Sequence, residues 1–331
     1  MHKIGNLTRL VGLGIASAGL VACGGGSSGA GDSGGTGQMS LAVTDAPVDS
    51  ALGVVVRFTH VELKPEDGES ILIDVSEEGE PVREIDLLTL QGEAFETLFE
   101  NEEVPAGDYA WLRFHLEEND DQASFPGSQG DIATTSYIQF DGYSDNLIIP
   151  GGNQAGLQLS SGFSVPEDGQ VSFTVDFDLR KAIKEDSRDG FHRMRRSLRL
   201  VDNSSVGSIT GTVDPTIVPG DRCEEREEGL RACPGVAVYV YEDHDREPRD
   251  LRDDEDDAVT TANVYYRHVE ATGDWEYRYT AGFLEAGDYT VALTFEAGED
   301  DPEEATPIEF VDQANAEVEA GETTEVNFPD S

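Results

Sequence analysis

Apolar and polar residues alternate with period two along much of the chain, in short runs. Over 171–179, Val171, Phe173, Val175, Phe177 and Leu179 share one face, while Ser172, Thr174, Asp176 and Asp178 share the other. That alternation predicts a half-buried strand with one solvated, polar face. Over 54–63, Val54, Val56, Phe58, His60 and Glu62 share one face, and Val55, Arg57, Thr59, Val61 and Leu63 the other. Further runs of β-branched and aromatic residues at 39–44, 70–75, 109–116, 136–140, 147–149, 157–165 and 192–201 are separated by Gly, Asp, Asn and Pro turns and predict more strands. Glu93–Glu100, with Phe95, Leu98 and Phe99 at i, i+3 and i+4, predicts one short helical insert. A second series of strands is predicted at 207–213, 235–241, 263–269, 274–279, 288–295, 307–311 and 323–328. The fold class expected is all-β: two consecutive antiparallel β-sandwich domains, over 39–203 and 204–331.

The N-terminus departs from this pattern. Lys3 and Arg9 precede an apolar stretch, Leu10–Leu20, that is too short to span a bilayer as a helix. It ends in Leu20-Val21-Ala22-Cys23, which resembles a bacterial lipobox. The resemblance implies a signal peptide over 1–22 and lipidation of Cys23, with the membrane as partner through the acyl chains. Gly24, where Asp would retain the protein at the inner membrane, implies the outer membrane of the cell envelope. Residues 24–38 are almost entirely Gly, Ser and small polar residues and predict a flexible tether of roughly 20 Å.

Of 331 residues, 68 are acidic and 22 are Lys or Arg, a formal net charge of −46. A nucleic-acid partner is excluded, because a phosphate backbone needs a cationic surface. So acidic a surface keeps a protein soluble and is halophile-like. The run Asp243–Asp257 has almost no apolar residues and predicts a mobile, solvated loop. Arg188, Arg193, Arg195, Arg196 and Arg199 lie within one short segment and are expected to neutralise neighbouring acids.

Candidate chemistry is sparse. Asp45 and Asp49 lie in one turn, and Asp178 ends the 171–179 strand; together they suggest a Ca²⁺ site as an alternative to turn-capping carboxylates. Asp178 is preferred to Asp176 as the third ligand. Cys223 and Cys233 are the only thiols after Cys23 and, in an exported chain, are expected to form a disulfide. Trp275, Tyr277 and Tyr279 alternate with Glu276 and Arg278, which suits either a sandwich core or a face that stacks on a glycan. Gly31-Asp32-Ser33-Gly34-Gly35 mimics a serine-hydrolase string but sits in a Gly-rich coil, not on a strand-to-helix turn. No H-E-x-x-H, no phosphate-binding G-x-x-x-x-G-K and no His cluster with ligand spacing occurs.

Four segments carry a family resemblance. Ser40–Asp49 (with Thr44-Asp45-Ala46-Pro47-Val48-Asp49), Ile85–Gly92, Val104–Tyr109 and Asp176-Phe177-Asp178-Leu179-Arg180-Lys181 resemble the bacterial domain-of-unknown-function family 4382. That family occurs on lipoproteins and implies no activity. In the second half, Gly211-Thr212-Val213, Pro234-Gly235-Val236, Gly273-Asp274-Trp275 and Leu284–Tyr289 resemble a carboxypeptidase-regulatory-like domain. This second resemblance implies a non-catalytic Ig-like or transthyretin-like sandwich, sometimes linked to carbohydrate binding. Pro105-Ala106-Gly107-Asp108-Tyr109 is echoed by Glu285-Ala286-Gly287-Asp288-Tyr289, and each Tyr is expected to anchor a sandwich corner through its hydroxyl. The function expected is that of a non-enzymatic, lipid-anchored envelope protein with binding or scaffolding modules. Its partner is an unknown envelope protein or a glycan, and the alternative is a carbohydrate-binding or carbohydrate-active protein.

Overall fold

The computed structural model describes residues 35–46, 51–117, 135–149, 156–185, 190–220, 222–252, 254, 256–302, 305 and 307–329. The export segment with Cys23, most of the tether, Arg188 and Asp49 lie outside the described residues.

The first part of the chain forms β1 (Thr36–Ala46), β2 (Gly53–Pro65), β3 (Ile71–Asp74), β4 (Arg83–Asp86), β5 (Glu96–Pro105), β6 (Gly107–Leu116), β7 (Tyr137–Phe140), β8 (Tyr143–Ile148), β9 (Leu157–Leu159), β10 (Phe163–Val165) and β11 (Gln170–Asp178). A one-turn helix α1 (Leu179–Ala182) follows, then β12 (Ile183–Glu185), β13 (His192–Met194) and β14 (Leu198–Asp202). One sheet runs β14-β11-β1-β5. The other runs β10-β6-β2-β7-β8-β13-β12, with β3 and β4 on β2 and β9 on β6. Most pairings are antiparallel, but β1 lies parallel to β11 with Leu41 opposite Phe173 and Val43 opposite Val175. The long connection between them is what permits a parallel pair. β1 starts at Thr36, inside the stretch expected to be tether.

The facing sheets enclose one core. Phe58, Phe114 and Phe177 meet there with ring centroids 5.4–6.2 Å apart, and all three are fully buried. Truncating a buried Phe of this kind costs about 3–5 kcal/mol.

Three expectations about this half need correction. The helix expected at Glu93–Glu100 does not form: Glu96–Pro105 is strand β5, with Thr97 opposite Ala42 and Phe99 opposite Leu41. Two helical turns are marginal alone, whereas the edge of β1 supplies a full ladder of backbone partners. The single strand expected at 192–201 is broken into β13 and β14, which carry the chain from one sheet to the other. The solvated face expected for β11 is covered: Asp176 is only 5% and Asp178 8% exposed, because the second half of the chain packs over that end.

The second half forms β15 (Val206–Val213), β16 (Glu224–Glu227), β17 (Leu230–Glu242), β18 (Thr260–Val269), β19 (Asp274–Glu285), β20 (Gly287–Thr294), β21 (Phe310–Val318) and β22 (Thr323–Glu325). They build one curled sheet, β21-β20-β17-β18-β19-β15-β22, with β16 on β17. β17 is central and buried on both faces: Val236, Val238 and Val240 enter one core, and Ala237, Tyr239 and Tyr241 another. The paired corners form alike. Tyr109 donates its hydroxyl to Pro105 O at 2.7 Å and Tyr289 to Glu285 O at 2.8 Å. Gly107 makes the first turn possible at φ +139°, a value side chains disfavour.

The described residues of the acidic segment after β17 are anchored to the sheet rather than free in solvent. Leu251 is fully buried in the second core. Tyr241 donates to Arg249 O at 2.5 Å, and the Asp257 carboxylate accepts from the Arg252 and Asp254 amides. Arg246 pairs with Asp256 at 2.8 Å and Arg252 with Asp250 at 2.9 Å. Three Arg residues are interleaved with the acids, so part of the run's repulsion is offset locally by these pairs. One apolar anchor, Leu251, fixes it to the sheet.

Candidate functional site at the junction of the two sandwiches

Three of the four family-like segments, 40–49, 85–92 and 176–181, converge at one end of the first sandwich, where the second packs, while Val104–Tyr109 lies at the other end, beside the start of β1. Asp45 ends β1, Asp176 and Asp178 end the adjacent β11, and the 85–92 segment crosses beside them through the Asp45–Gln91 bridge. Asp86 N-caps a short 3₁₀ turn at Leu87–Thr89 by accepting from the Leu88 amide. Asp178 caps α1 by accepting from the Lys181 amide at 3.2 Å. These caps aim the residues that follow them at the second sheet.

Arg180 contributes three side-chain hydrogen bonds to the contact. It is 5% exposed and donates to Thr261 Oγ1 at 3.2 Å, Ala297 O at 2.7 Å and Asn263 Oδ1 at 2.9 Å. Lys181 Nζ donates to Ala258 O at 2.7 Å. Tyr265 donates its hydroxyl to Gln91 Oε1, and Ser208 donates to Glu93 Oε1 at 2.7 Å. Phe95, otherwise exposed, rests edge-on against Phe283 with centroids 6.3 Å apart. The backbones nearly touch: a Cβ on Gly282 would lie 2.2 Å from Gly92 O. No side chain fits there. The described residues from 35 onward accordingly form one compact unit.

Beside this contact lies a cleft of about 560 Å³ between the 86–94 segment and β16, β18 and β19, within the range of small-ligand sites. Arg226, Arg267 and Arg278 line it, with Tyr265, Gln91 and the exposed Leu52. Its acids are committed: Asp86 accepts the Val54 and Leu88 amides, and Glu93 accepts Ser208. The Gln91 Nε2 is enclosed and, among the described residues, has no acceptor.

The residues singled out from the sequence fall as follows. Cys223 and Cys233 are disulfide-bonded and clasp the β16–β17 hairpin, so the acidic loop between them is a strand pair. Asp178 is not poised as a ligand. It caps α1 and pairs with Lys181 Nζ at 3.2 Å, and it is Asp176 that lines a small cavity with Asp45. Asp49 and Cys23 lie outside the described residues. Among the described residues no group of three or more Asp, Glu, His or Cys is arranged to hold a metal ion. Trp275, Tyr277 and Tyr279 share a face that runs from solvent into the core. Tyr279 is 2% exposed and donates to Val326 O at 2.7 Å, which makes it a core residue rather than a glycan platform. Tyr277 is half-buried against Tyr266. Trp275 is exposed, stacked on Tyr266 at 5.1 Å and covered on one side by the Arg231 guanidinium at 5.0 Å.

Asp45 is the outlier. It is 4% exposed and, among the described residues, neither oxygen accepts a hydrogen bond. Burial first, then repulsion from Asp176 and Asp178, holds its pKa well above the ordinary carboxylate range. The Leu179 N–H opposes that shift from nearby but falls short of hydrogen-bond geometry.

The chain is thus an all-β protein of sandwich architecture. Residues 36–192, a little under half of it, match the family described as domain of unknown function (DUF4382). All four family-like segments lie inside that match. No curated protein matches the chain. Among solved structures, the Bacillus anthracis TIE protein is 11% identical, with 88% of this chain and 34% of that one covered and a TM-score of 0.20. This chain therefore spans about a third of that protein's length. The major pilin of Streptococcus pyogenes is 14% identical, with 89% and 99% covered and a TM-score of 0.16. BcpA, the major pilin subunit of Bacillus cereus, is 10% identical, with 88% and 99% covered and a TM-score of 0.18. At such overlaps the description of the fold rests on the chain's own sheets.

Proposed function

We propose that this chain is a non-enzymatic protein of the bacterial cell envelope, held by a lipid on Cys23, whose two sandwiches act as one rigid binding or scaffolding unit. The carrying observation is the junction. Arg180 and Lys181 lock the two halves together, and an open cleft with three guanidinium groups lies beside the lock. A rigid pair of sandwiches on a flexible tether is a means of presenting a surface away from a membrane. The disulfide suits an oxidising compartment. Lipidation of Cys23 and an outer-membrane address rest on the sequence pattern alone.

The test has two arms. Cys23→Ser is expected to leave the protein unlipidated and out of the membrane fraction; continued fractionation with the outer membrane contradicts the anchor. For the cleft, a photo-crosslinking residue at Leu52, at the cleft wall, is expected to trap one defined adduct in cells, lost in Arg267→Glu. An adduct unaffected by that charge reversal contradicts the cleft.

A second reading, carbohydrate binding, is favoured by the exposed Trp275 stacked on Tyr266. Indole faces stack on sugar rings, and Arg231 would border such a platform. A glycan array compared with Trp275→Ala separates this reading from the cleft, and reproducible sugar turnover would remove the non-enzymatic assignment.

A further inference from the structure

The enclosed carboxylate of Asp45 borders a cavity of about 10 Å³, room for about one water-sized sphere. Thr44, Asp45 and Asp176 of the first sandwich line it, facing Thr260, Thr261 and Thr280 of the second. An ionised carboxylate sealed away from water without a partner is costly, and a nearby like charge makes it more so. The local cations are engaged elsewhere. Arg199 Nη2 holds one oxygen of Asp176 at 2.8 Å, Lys181 serves Asp178 and Ala258 O, and Arg180 serves Thr261 Oγ1, Asn263 Oδ1 and Ala297 O. Among the described residues no donor reaches Asp45.

The polar side chains that line the cavity carry oxygen only, two carboxylates and threonine hydroxyls, with Ala281 and Phe283 as apolar wall. Among the described residues no imidazole or thiol lines the cavity. Such a set suits a hard cation rather than a transition metal. We propose that this cavity is a Ca²⁺ site that bridges the two sandwiches, with Asp45 as principal ligand and Asp176 as second. Threonine hydroxyls and backbone carbonyls of the second sandwich complete the oxygen shell. Two carboxylates rather than three or four place the affinity on the order of 0.1–1 mM, the range of extracellular Ca²⁺ modules. The ion would supply the positive charge that the structure gives Asp45 from no side chain, and would couple the two halves beside the close approach of Gly92 and Gly282.

The experiment uses the full purified chain, stripped with EDTA and held in 0.5 M NaCl to screen diffuse binding to the acidic surface. Equilibrium dialysis against Ca²⁺ is expected to retain one ion per chain. Thermal unfolding is expected to shift upward with Ca²⁺ and to follow a one-site curve. Asp45→Asn should abolish both effects, whereas Asp288→Asn, on the exposed surface, should leave both intact. Because the amide removes a buried charge, Asp45→Asn in EDTA is expected to melt no lower than wild type. No retained Ca²⁺ in the wild type, or equal shifts in wild type and Asp45→Asn, overturns the proposal. A wild type indifferent to Ca²⁺ but stabilised by acid, with Asp45→Asn indifferent to both, overturns it too and identifies a proton as what satisfies Asp45.

Discussion

Arg180 Nη2 of the first sandwich donates to Asn263 Oδ1 of the second at 2.9 Å, and the arginine is sealed between the sheets. The same guanidinium satisfies Ala297 O and Thr261 Oγ1. Removing it strands three acceptors in a low-dielectric junction, where each unsatisfied group costs about 1–3 kcal/mol. Arg180→Ala is expected to destabilise the chain by about 3–5 kcal/mol in urea unfolding, the scale of breaking a buried charged network. Arg180→Lys should recover only part of this, because an ammonium cannot reach three acceptors in the guanidinium's planar fork. A loss below about 1 kcal/mol in Arg180→Ala would show that the junction is held elsewhere.

Stability should depend on pH in a direction set by the buried acids. In EDTA, Asp45, Asp176 and Asp300 all have raised pKa values, with burial the first cause in each. The folded chain then holds protons that the unfolded chain releases, so these groups favour folding most below about pH 4. Their contribution falls as pH rises from there through the raised values and is level beyond. Glu62 and Asp74, whose values are lowered, act in the opposite sense and lose their contribution on acidification. Asp45→Asn should therefore raise the urea midpoint at pH 7 in EDTA and lessen its decline as pH rises above about 4, since a tenfold difference in proton affinity between folded and unfolded chain is worth about 1.4 kcal/mol. A lower midpoint at pH 7 would show that the charge on Asp45 is compensated.

The two corner tyrosines should behave as equivalents. Each closes the same short span, Tyr109 to Pro105 O and Tyr289 to Glu285 O. Tyr109→Phe and Tyr289→Phe should each cost about 0.5–1.5 kcal/mol, the net worth of one part-buried hydrogen bond. Denaturation of the two single variants and the double variant checks this. Their costs should add, since the corners lie in different sandwiches.

Much of the strand pattern was legible because period-two alternation survives wherever one face meets a core, as in Phe173, Val175 and Phe177. The corners were legible from the repeated Ala-Gly-Asp-Tyr, and the disulfide from two thiols in a chain whose N-terminus resembles an export signal. Legibility failed where a second body supplies the environment. Asp176 and Asp178 read as solvated because nothing local shows that Thr261 and Thr280 will cover them. Phe95, Leu98 and Phe99 read as a helix because β1, their strand partner, lies far away in sequence. Arg180 does carry a local signal: a cation soon after a capping Asp, within a family-like segment, is placed to reach outward. The acidic loop misleads when its charge is counted whole, without pairing Arg246, Arg249 and Arg252 to the acids beside them.

The Cys223–Cys233 bond should clasp the β16–β17 hairpin at the cleft wall. Reduction, or Cys223→Ser with Cys233→Ser, should cost about 2–3 kcal/mol by the loop-entropy account. Without reductant, neither Cys223 nor Cys233 should be alkylated in the purified protein. Rapid labelling of both would contradict the bond.

The central claim is that the two sandwiches work as one unit because the family-like end of the first is the docking surface for the second. Scanning calorimetry of the full chain tests it most directly, since a single cooperative unit gives equal calorimetric and van't Hoff enthalpies. The account predicts one transition for the wild type, separating into two in Arg180→Ala. Two independent transitions in the wild type, with the lower one unmoved by Arg180→Ala, would contradict it.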